Sequence, residues 1–266
     1  MVLFKYIFIF LLGYLLASCS VFEPLAGESP VRENFIALDI DDRILYKKGA
    51  KTNALLIAES LEKHIQKVES VHGEFFSKKV VVHICDTTAC FNKYTGGNEG
   101  VSAAVGKNGL FLSPLAFRND RQNLFLAHEL SHLHLFQHIS LFKTLFVPQW
   151  FHDGIATYAS NGGGADFVPE AEAKTYIANN KYIIPIVKGG LMGNRWPINY
   201  ERSTDFTFQQ HMNYRQSAMF CEYLANGNMH QKLLREIENG EKFSSAFIGV
   251  YDATVEQVWN AFRRQI

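Results

Sequence analysis

An apolar-rich segment with titratable groups set into it occupies the middle of the chain. Residues 124–136 read Leu-Phe-Leu-Ala-His-Glu-Leu-Ser-His-Leu-His-Leu-Phe, a helical stretch that carries His128, Glu129 and His132. On a helix turning about 100° per residue, His128 and His132 stand about 40° apart and one turn up, so both imidazoles reach a single metal ion. Neutral nitrogen donors suit zinc. Glu129 sits at the edge of the same face, where a carboxylate takes a proton from metal-bound water without being a ligand itself. His134 and His138 are also four residues apart, but they lie about 240° and 280° round from His128 and cannot share its metal. They are expected to be core or surface residues.

A second signal comes at a workable distance. Val147-Pro148-Gln149-Trp150-Phe151-His152-Asp153-Gly154-Ile155-Ala156-Thr157-Tyr158 puts an acidic residue on what reads as the first turn of a helix. His152 and Asp153 are both chemically able to complete a donor set, and Thr157, one turn on, either orients a ligand or is a plain helix residue. Three protein ligands plus water form the open arrangement of a hydrolytic zinc site, whereas four would close it.

These two segments together resemble the gluzincin metallopeptidases, within them the thermolysin-like, peptidase MA-like group, which pair a His-Glu-x-x-His helix with a later Trp-x-x-Glu-Gly-x-Ala helix. The matching positions are Trp150, Asp153, Gly154 and Ala156. The resemblance implies that His128, His132 and Asp153 hold one Zn2+, with Glu129 as the general base. Aspartate departs from the group's glutamate: it is shorter by one methylene, so its helix must approach the metal by about 1 Å more or bind at another angle. Downstream, Asn213-Tyr214-Arg215-Gln216-Ser217 resembles the group's Tyr-x-Gln-Ser helix. That likeness names Tyr214 as the donor to the oxyanion, with His211 in reserve. It extends through Gly240-Glu241-Lys242-Phe243, Ala246-Phe247 and Val255-Glu256-Gln257-Val258-Trp259, and so covers most of residues 35–266.

The ends of the chain say where such a domain would work. Residues 6–17, Tyr-Ile-Phe-Ile-Phe-Leu-Leu-Gly-Tyr-Leu-Leu-Ala behind Lys5, read as an export signal too short to span a bilayer as a helix of about 20 residues. The run ends in Leu16-Ala17-Ser18-Cys19, which resembles the bacterial lipobox; the resemblance implies cleavage after residue 18 and lipidation of Cys19. Two or more acyl chains give stable attachment, so the expected body is soluble but tethered to a membrane of the bacterial envelope, periplasm-facing or outer. Residues 19–34, with Pro24, Gly27, Ser29 and Pro30, suit a flexible tether. Lys plus Arg and Asp plus Glu each number 26, so no global field would hold the protein on nucleic acid. An exported chain permits disulfides: Cys85 and Cys90 are close enough to pair across a loop, which leaves Cys221 as a buried thiol.

With 266 residues, 47% of them hydrophobic, the chain can bury one large core or two smaller ones. Short strands are expected at residues 35–40 and 43–46 around a solvated Asp41-Asp42 turn, and at residues 79–85. A helix with Leu55, Leu56, Ala58, Leu61, Ile65, Val68 and Val71 inward should end near Gly73. A polar loop and a short turn containing Phe91 come next. A hairpin at residues 101–114 then turns on Asn108-Gly109. By the resemblance, the strand from Leu110 to Ser113 corresponds to the group's edge strand beside the cleft, and such an edge accepts an extended peptide by strand addition. Gly162-Gly163-Gly164 reads as a mobile loop.

The expected fold is therefore α+β and, by the resemblance, zincin-like: a small, mainly antiparallel sheet with helices, the metal-binding helix, then a mostly helical C-terminal lobe. The expected function is a lipid-anchored zinc peptidase of the envelope that acts on a peptide or protein. A metal-binding or partner-binding lipoprotein with little or no activity is the second reading, and attack on another amide, such as one in cell-wall peptides, is the third.

Overall fold

A computed structural model of the chain describes residues 34–96, 100–106, 109–139, 141–144, 146–187 and 206–266. The export signal, Cys19 and all of the tether but Asn34 lie outside the described residues, as do Lys107 and Asn108 of the hairpin turn. No described helix is long and apolar enough to cross a membrane. The described residues divide into two compact units, residues up to 59 with 80–122, and residues 60–79 with those from 123 onward.

In chain order, β1 (Ile36–Leu38) and β2 (Asp41–Tyr46) are followed by α1 (Lys51–Ala58), α2 (Leu61–His72), β3 (Val82–Ile84), α3 (Thr88–Thr95), β4 (Ala103–Gly106) and β5 (Gly109–Leu112). All of these but α2 belong to the first unit, whose five strands form one sheet in the order β1-β2-β3-β5-β4. The sheet is mixed, not mainly antiparallel as the sequence suggests. The outer pairs β1/β2 and β4/β5 run antiparallel, while β2/β3 and β3/β5 run parallel. Tight turns can only join antiparallel neighbours; the long helical connection from β2 to β3 permits the parallel pairing. The strand Leu110 to Ser113, expected at an edge, is thereby corrected: β5 lies between β3 and β4, and β4 is the edge.

Local chemistry explains the other departures. The β1/β2 turn falls at Asp39 and Ile40, because Asp41 already belongs to β2, where its carboxylate accepts from the Arg43 guanidinium at 2.8 Å. The polar stretch before Phe91 is a helix, α3, capped by Thr87, whose Oγ1 accepts from the Cys90 amide. Gly109, at φ +143°, lies so close to the residue that leads into β3 that a Cβ there would come within 2.4 Å of the Val81 carbonyl oxygen. Phe35, Leu45, Phe91, Tyr94 and Phe111 fill the core on one side of the sheet, and the His83 ring stacks on Phe111 at 4.3 Å. A disulfide joins Cys85 to Cys90, as the spacing suggests, and Cys221 is a buried free thiol.

The expected single helix over residues 55–71 is two, α1 and α2, broken at Glu59 and Ser60. The periodicity continues across the break, so nothing in the spacing announces it. In α1 the inward residues are Ala54 and Ile57, with Leu55 and Leu56 exposed; in α2 they are Leu61, Ile65, Val68 and Val71. Gly73, left-handed at φ +82°, ends α2 where expected.

The rest of the second unit is helical: α4 (Gln122–His138), α5 (Leu141–Thr144), α6 (Gln149–Ala159), α7 (Glu170–Ala178), α8 (Phe206–Leu224), α9 (Met229–Glu238), α10 (Phe243–Tyr251) and α11 (Val255–Arg263). The α6 helix runs against α8, and a ring cluster of Trp150, Phe151, Phe220, Phe243, Trp259 and Phe262 packs around that contact. On the far side of α4, His134 Nε2 donates to the Glu74 carbonyl at 2.9 Å and His138 Nε2 to that of Phe75 at 2.8 Å, which pins the segment after α2. Both imidazoles are thus structural.

Burial holds His83 and His134 down to a pKa of about 4, from an ordinary value near 6.5. Such groups are neutral in the folded chain and protonate on unfolding, so their stabilising contribution is whole above pH 6.5 and declines as pH falls toward 4. In chelator-treated protein, unfolding free energy from urea titration should drop between about pH 7.5 and about pH 5 by roughly 2 kcal/mol for each of these histidines. His83→Phe should remove part of that slope.

Candidate metal centre

Two helices of the second unit supply the donors. His128 and His132 lie on consecutive turns of α4, and Asp153 lies on α6, on its second turn and not its first, because the helix starts at Gln149. All three are buried. Their ligand atoms lie within 4.8 Å of one another, the one convergence of three such side chains among the described residues. His128 Nε2 and His132 Nε2 are 3.1 Å apart, and His132 Nε2 is 3.5 Å from Asp153 Oδ1.

Those separations test whether a metal fits. Zinc bonds of about 2.0–2.2 Å in a tetrahedron place neighbouring donor atoms about 3.3–3.6 Å apart. The His132–Asp153 edge falls within that range, and the His128–His132 edge is slightly shorter. Two imidazoles and a carboxylate are also a donor set that zinc accepts, so the residues fit a divalent transition metal.

Protonation favours the same use. His128 Nδ1 lies 3.0 Å from the Gly163 carbonyl, which can only accept, so the proton sits on Nδ1 and the Nε2 lone pair faces the other donors. Burial pushes His128 down to a pKa of about 4 and His152 to about 3, and holds His132 well below its ordinary value. Each is a neutral imidazole near pH 7, the form that ligates.

His152, the competing ligand, faces elsewhere. Its Nδ1 lies 3.0 Å from His132 Nδ1, behind the ring and away from the Nε2 that meets Asp153. Glu129 is buried on α4 beside His128. Tyr214, on α8, is buried with its ring 6.0 Å from that of His128, and its hydroxyl accepts from Gln210 Nε2 at 3.1 Å. His211 stands one turn earlier, where its Nδ1 accepts from the Phe167 amide at 3.3 Å and lies 3.7 Å from Asp166 Oδ1. Thr157 Oγ1 makes no hydrogen bond among the described residues, so it orients no ligand there.

Glycines set the spacing of these parts. A Cβ at Gly154 would come within 2.7 Å of Cys221 Sγ and 2.8 Å of the Ser217 carbonyl oxygen, so only glycine lets α6 approach α8 this closely next to Asp153. The Gly162-Gly163-Gly164 run is corrected from a mobile loop to a packed support. Cβ atoms there would meet the Arg215 guanidinium at 2.6 Å, the Leu124 carbonyl oxygen at 2.5 Å and the Tyr214 ring at 2.9 Å. Arg215 also fixes the stretch beyond the glycines by donating to the carbonyls of Val168 and Ala165. Sequence reasoning missed the Gly163 carbonyl as the partner that orients His128. The triple glycine itself was the available signal, since three close approaches in a row need three missing side chains.

Gly154→Ala should destabilise the protein by about 1–3 kcal/mol through overpacking against α8. Gly249→Ala, in α10 with open space around it, should not. Thermal melts of the two variants check this.

No protein-family model matches the chain, and no curated protein matches it.

Proposed function

We propose that this chain is a zinc-dependent peptidase tethered to a bacterial envelope membrane through lipid on Cys19, with a peptide or protein as substrate. The observation that carries the reading is the buried convergence of His128, His132 and Asp153, with two imidazole nitrogens 3.1 Å apart next to a carboxylate. A zincin-like fold of the gluzincin kind belongs to the same proposal, resting on the order of motifs along the chain. Bound there, zinc supplies Lewis-acid polarisation of a carbonyl and brings the pKa of water into the neutral range.

The chain's own groups divide the remaining work. Neutral His128 and His132 stay available as donors down to mildly acidic pH, because burial disfavours their protonation. Glu129 takes the proton of the attacking water and returns it to the leaving amine. Gln210 donates to the Tyr214 hydroxyl oxygen, so the hydroxyl hydrogen can point to the oxygen that gains charge.

Purified full-length protein should carry about one zinc per chain and cleave denatured casein, and chelator should abolish cleavage. Glu129→Gln should keep the zinc and lose about 10²–10⁴-fold in turnover. A Glu129→Gln protein that cleaves at the wild-type rate overturns the base assignment. The shorter Asp153 favours one further reading, a metal-binding lipoprotein without turnover; zinc uptake with no cleavage of casein or of cell-wall peptides by the wild type would select it. For the anchor, wild-type chain expressed with labelled palmitate should incorporate label, and Cys19→Ala should not.

A further inference from the structure

Three imidazoles stand in a row in the second unit: His152, His132 and His128, joined Nδ1 to Nδ1 at 3.0 Å and then Nε2 to Nε2 at 3.1 Å. The far end is fixed by the Gly163 carbonyl, which requires a proton on His128 Nδ1 and so leaves a lone pair on His128 Nε2. The near end is unsupported, since His152 Nε2 is fully buried with no hydrogen-bond partner among the described residues. Each imidazole is neutral and carries one proton. Two arrangements therefore exist for the middle and near rings.

Without a metal, the row satisfies itself. His152 Nδ1–H donates to His132 Nδ1, and His132 Nε2–H donates to His128 Nε2. Of the row's ring nitrogens, the lone pair on His152 Nε2 is then the one without a partner among the described residues. Ligation needs the opposite state, because His132 Nε2 must then present a lone pair. The His132 proton sits on Nδ1 and donates to His152 Nδ1, and the His152 proton sits on Nε2, a buried donor with no acceptor among the described residues. The proton count is the same in both states: each of the two rings gives up a proton at one nitrogen and holds one at the other.

We propose that His152 is a positioning residue that couples metal loading at His128, His132 and Asp153 to a tautomer change, moving its own proton from Nδ1 to Nε2 and thereby holding metal affinity below what the donor set would otherwise give. The proposal rests on the metal reading above. It assigns His152 a task that packing alone does not require. A side chain that accepts from His132 Nδ1–H without a tautomer change of its own should bind metal at least as tightly. Asparagine accepts through its amide oxygen, which lies near the position of the imidazole Nδ1, and turning the amide over exchanges acceptor for donor with no ring proton to move. Leucine has similar bulk to histidine but no acceptor, and leaves the His132 Nδ1–H without a partner.

The test is competitive zinc titration of full-length wild type, His152→Asn and His152→Leu against a chromophoric chelator, with circular dichroism confirming folding. Alongside it, 15N-histidine NMR of the wild type reads the tautomers before and after zinc. Expected are an affinity for His152→Asn at or above wild type, a fall of about 10–100-fold for His152→Leu, and movement of the His152 proton from Nδ1 to Nε2 on loading. A merely structural His152 gives the reverse order, with leucine tolerated and the smaller asparagine impaired, and that order overturns the proposal. So does a tautomer that does not change while zinc binds, which leaves the metal site standing. Wild type that takes up no zinc removes the metal reading, and this proposal with it. If His152→Leu does not fold, the asparagine variant and the wild-type spectrum still decide.

Discussion

Two imidazole lone pairs directed at one another across 3.1 Å in a buried site repel unless a proton or a cation lies between them. Much of the second unit is arranged to bring about that encounter. Helix α4 sets His128 and His132 one turn apart. The Gly163 carbonyl turns His128 so that its Nε2 faces inward. His152 lies behind His132. Helix α6 brings Asp153 to within 3.5 Å of His132 because Gly154 leaves no Cβ to hold α6 away from α8. Arg215 then locks the residues after the glycine run by donating to the carbonyls of Ala165 and Val168.

Burial decides the chemistry these groups can do. Exposed histidines would titrate near neutral pH and lose their donor lone pairs as they charged. Taken out of water, His128 and His152 resist protonation down to about 4 and about 3. Two neutral nitrogens and one carboxyl group then form a compact donor set in a low-dielectric setting, where the field of a divalent cation acts strongly on whatever it polarises. The same burial makes each imidazole orientation costly to leave unsatisfied, so the hydrogen-bond partner of each ring matters as much as the ring itself.

The sequence made the donors legible because helix geometry converts a four-residue spacing into one face, a relation that needs no tertiary information. Gly73 was legible as a helix stop for the same local reason, and so was the Cys85–Cys90 pair. What long-range pairing decides was not. Alternation announces strands but not their neighbours, so the parallel pairing of β3 with β2 and β5 and the inner position of β5 had no local signature. The break between α1 and α2 interrupts a hydrophobic period that runs through it unbroken. His152 read as a rival ligand because spacing cannot tell which nitrogen of a ring faces which neighbour. The glycine run read as a loop because composition does not distinguish freedom from close contact; here each missing side chain makes room for another group.

X-ray absorption at the zinc edge of the loaded full-length protein reads whether one metal is held by two imidazoles of α4 and the carboxylate of α6. Expected are two imidazole scatterers at about 2.0–2.1 Å with oxygen ligands completing a low coordination number. Imidazole scattering should weaken in His128→Ala. A shell of six oxygens, a sulfur scatterer, or a spectrum that does not change in that variant would contradict that ligand set.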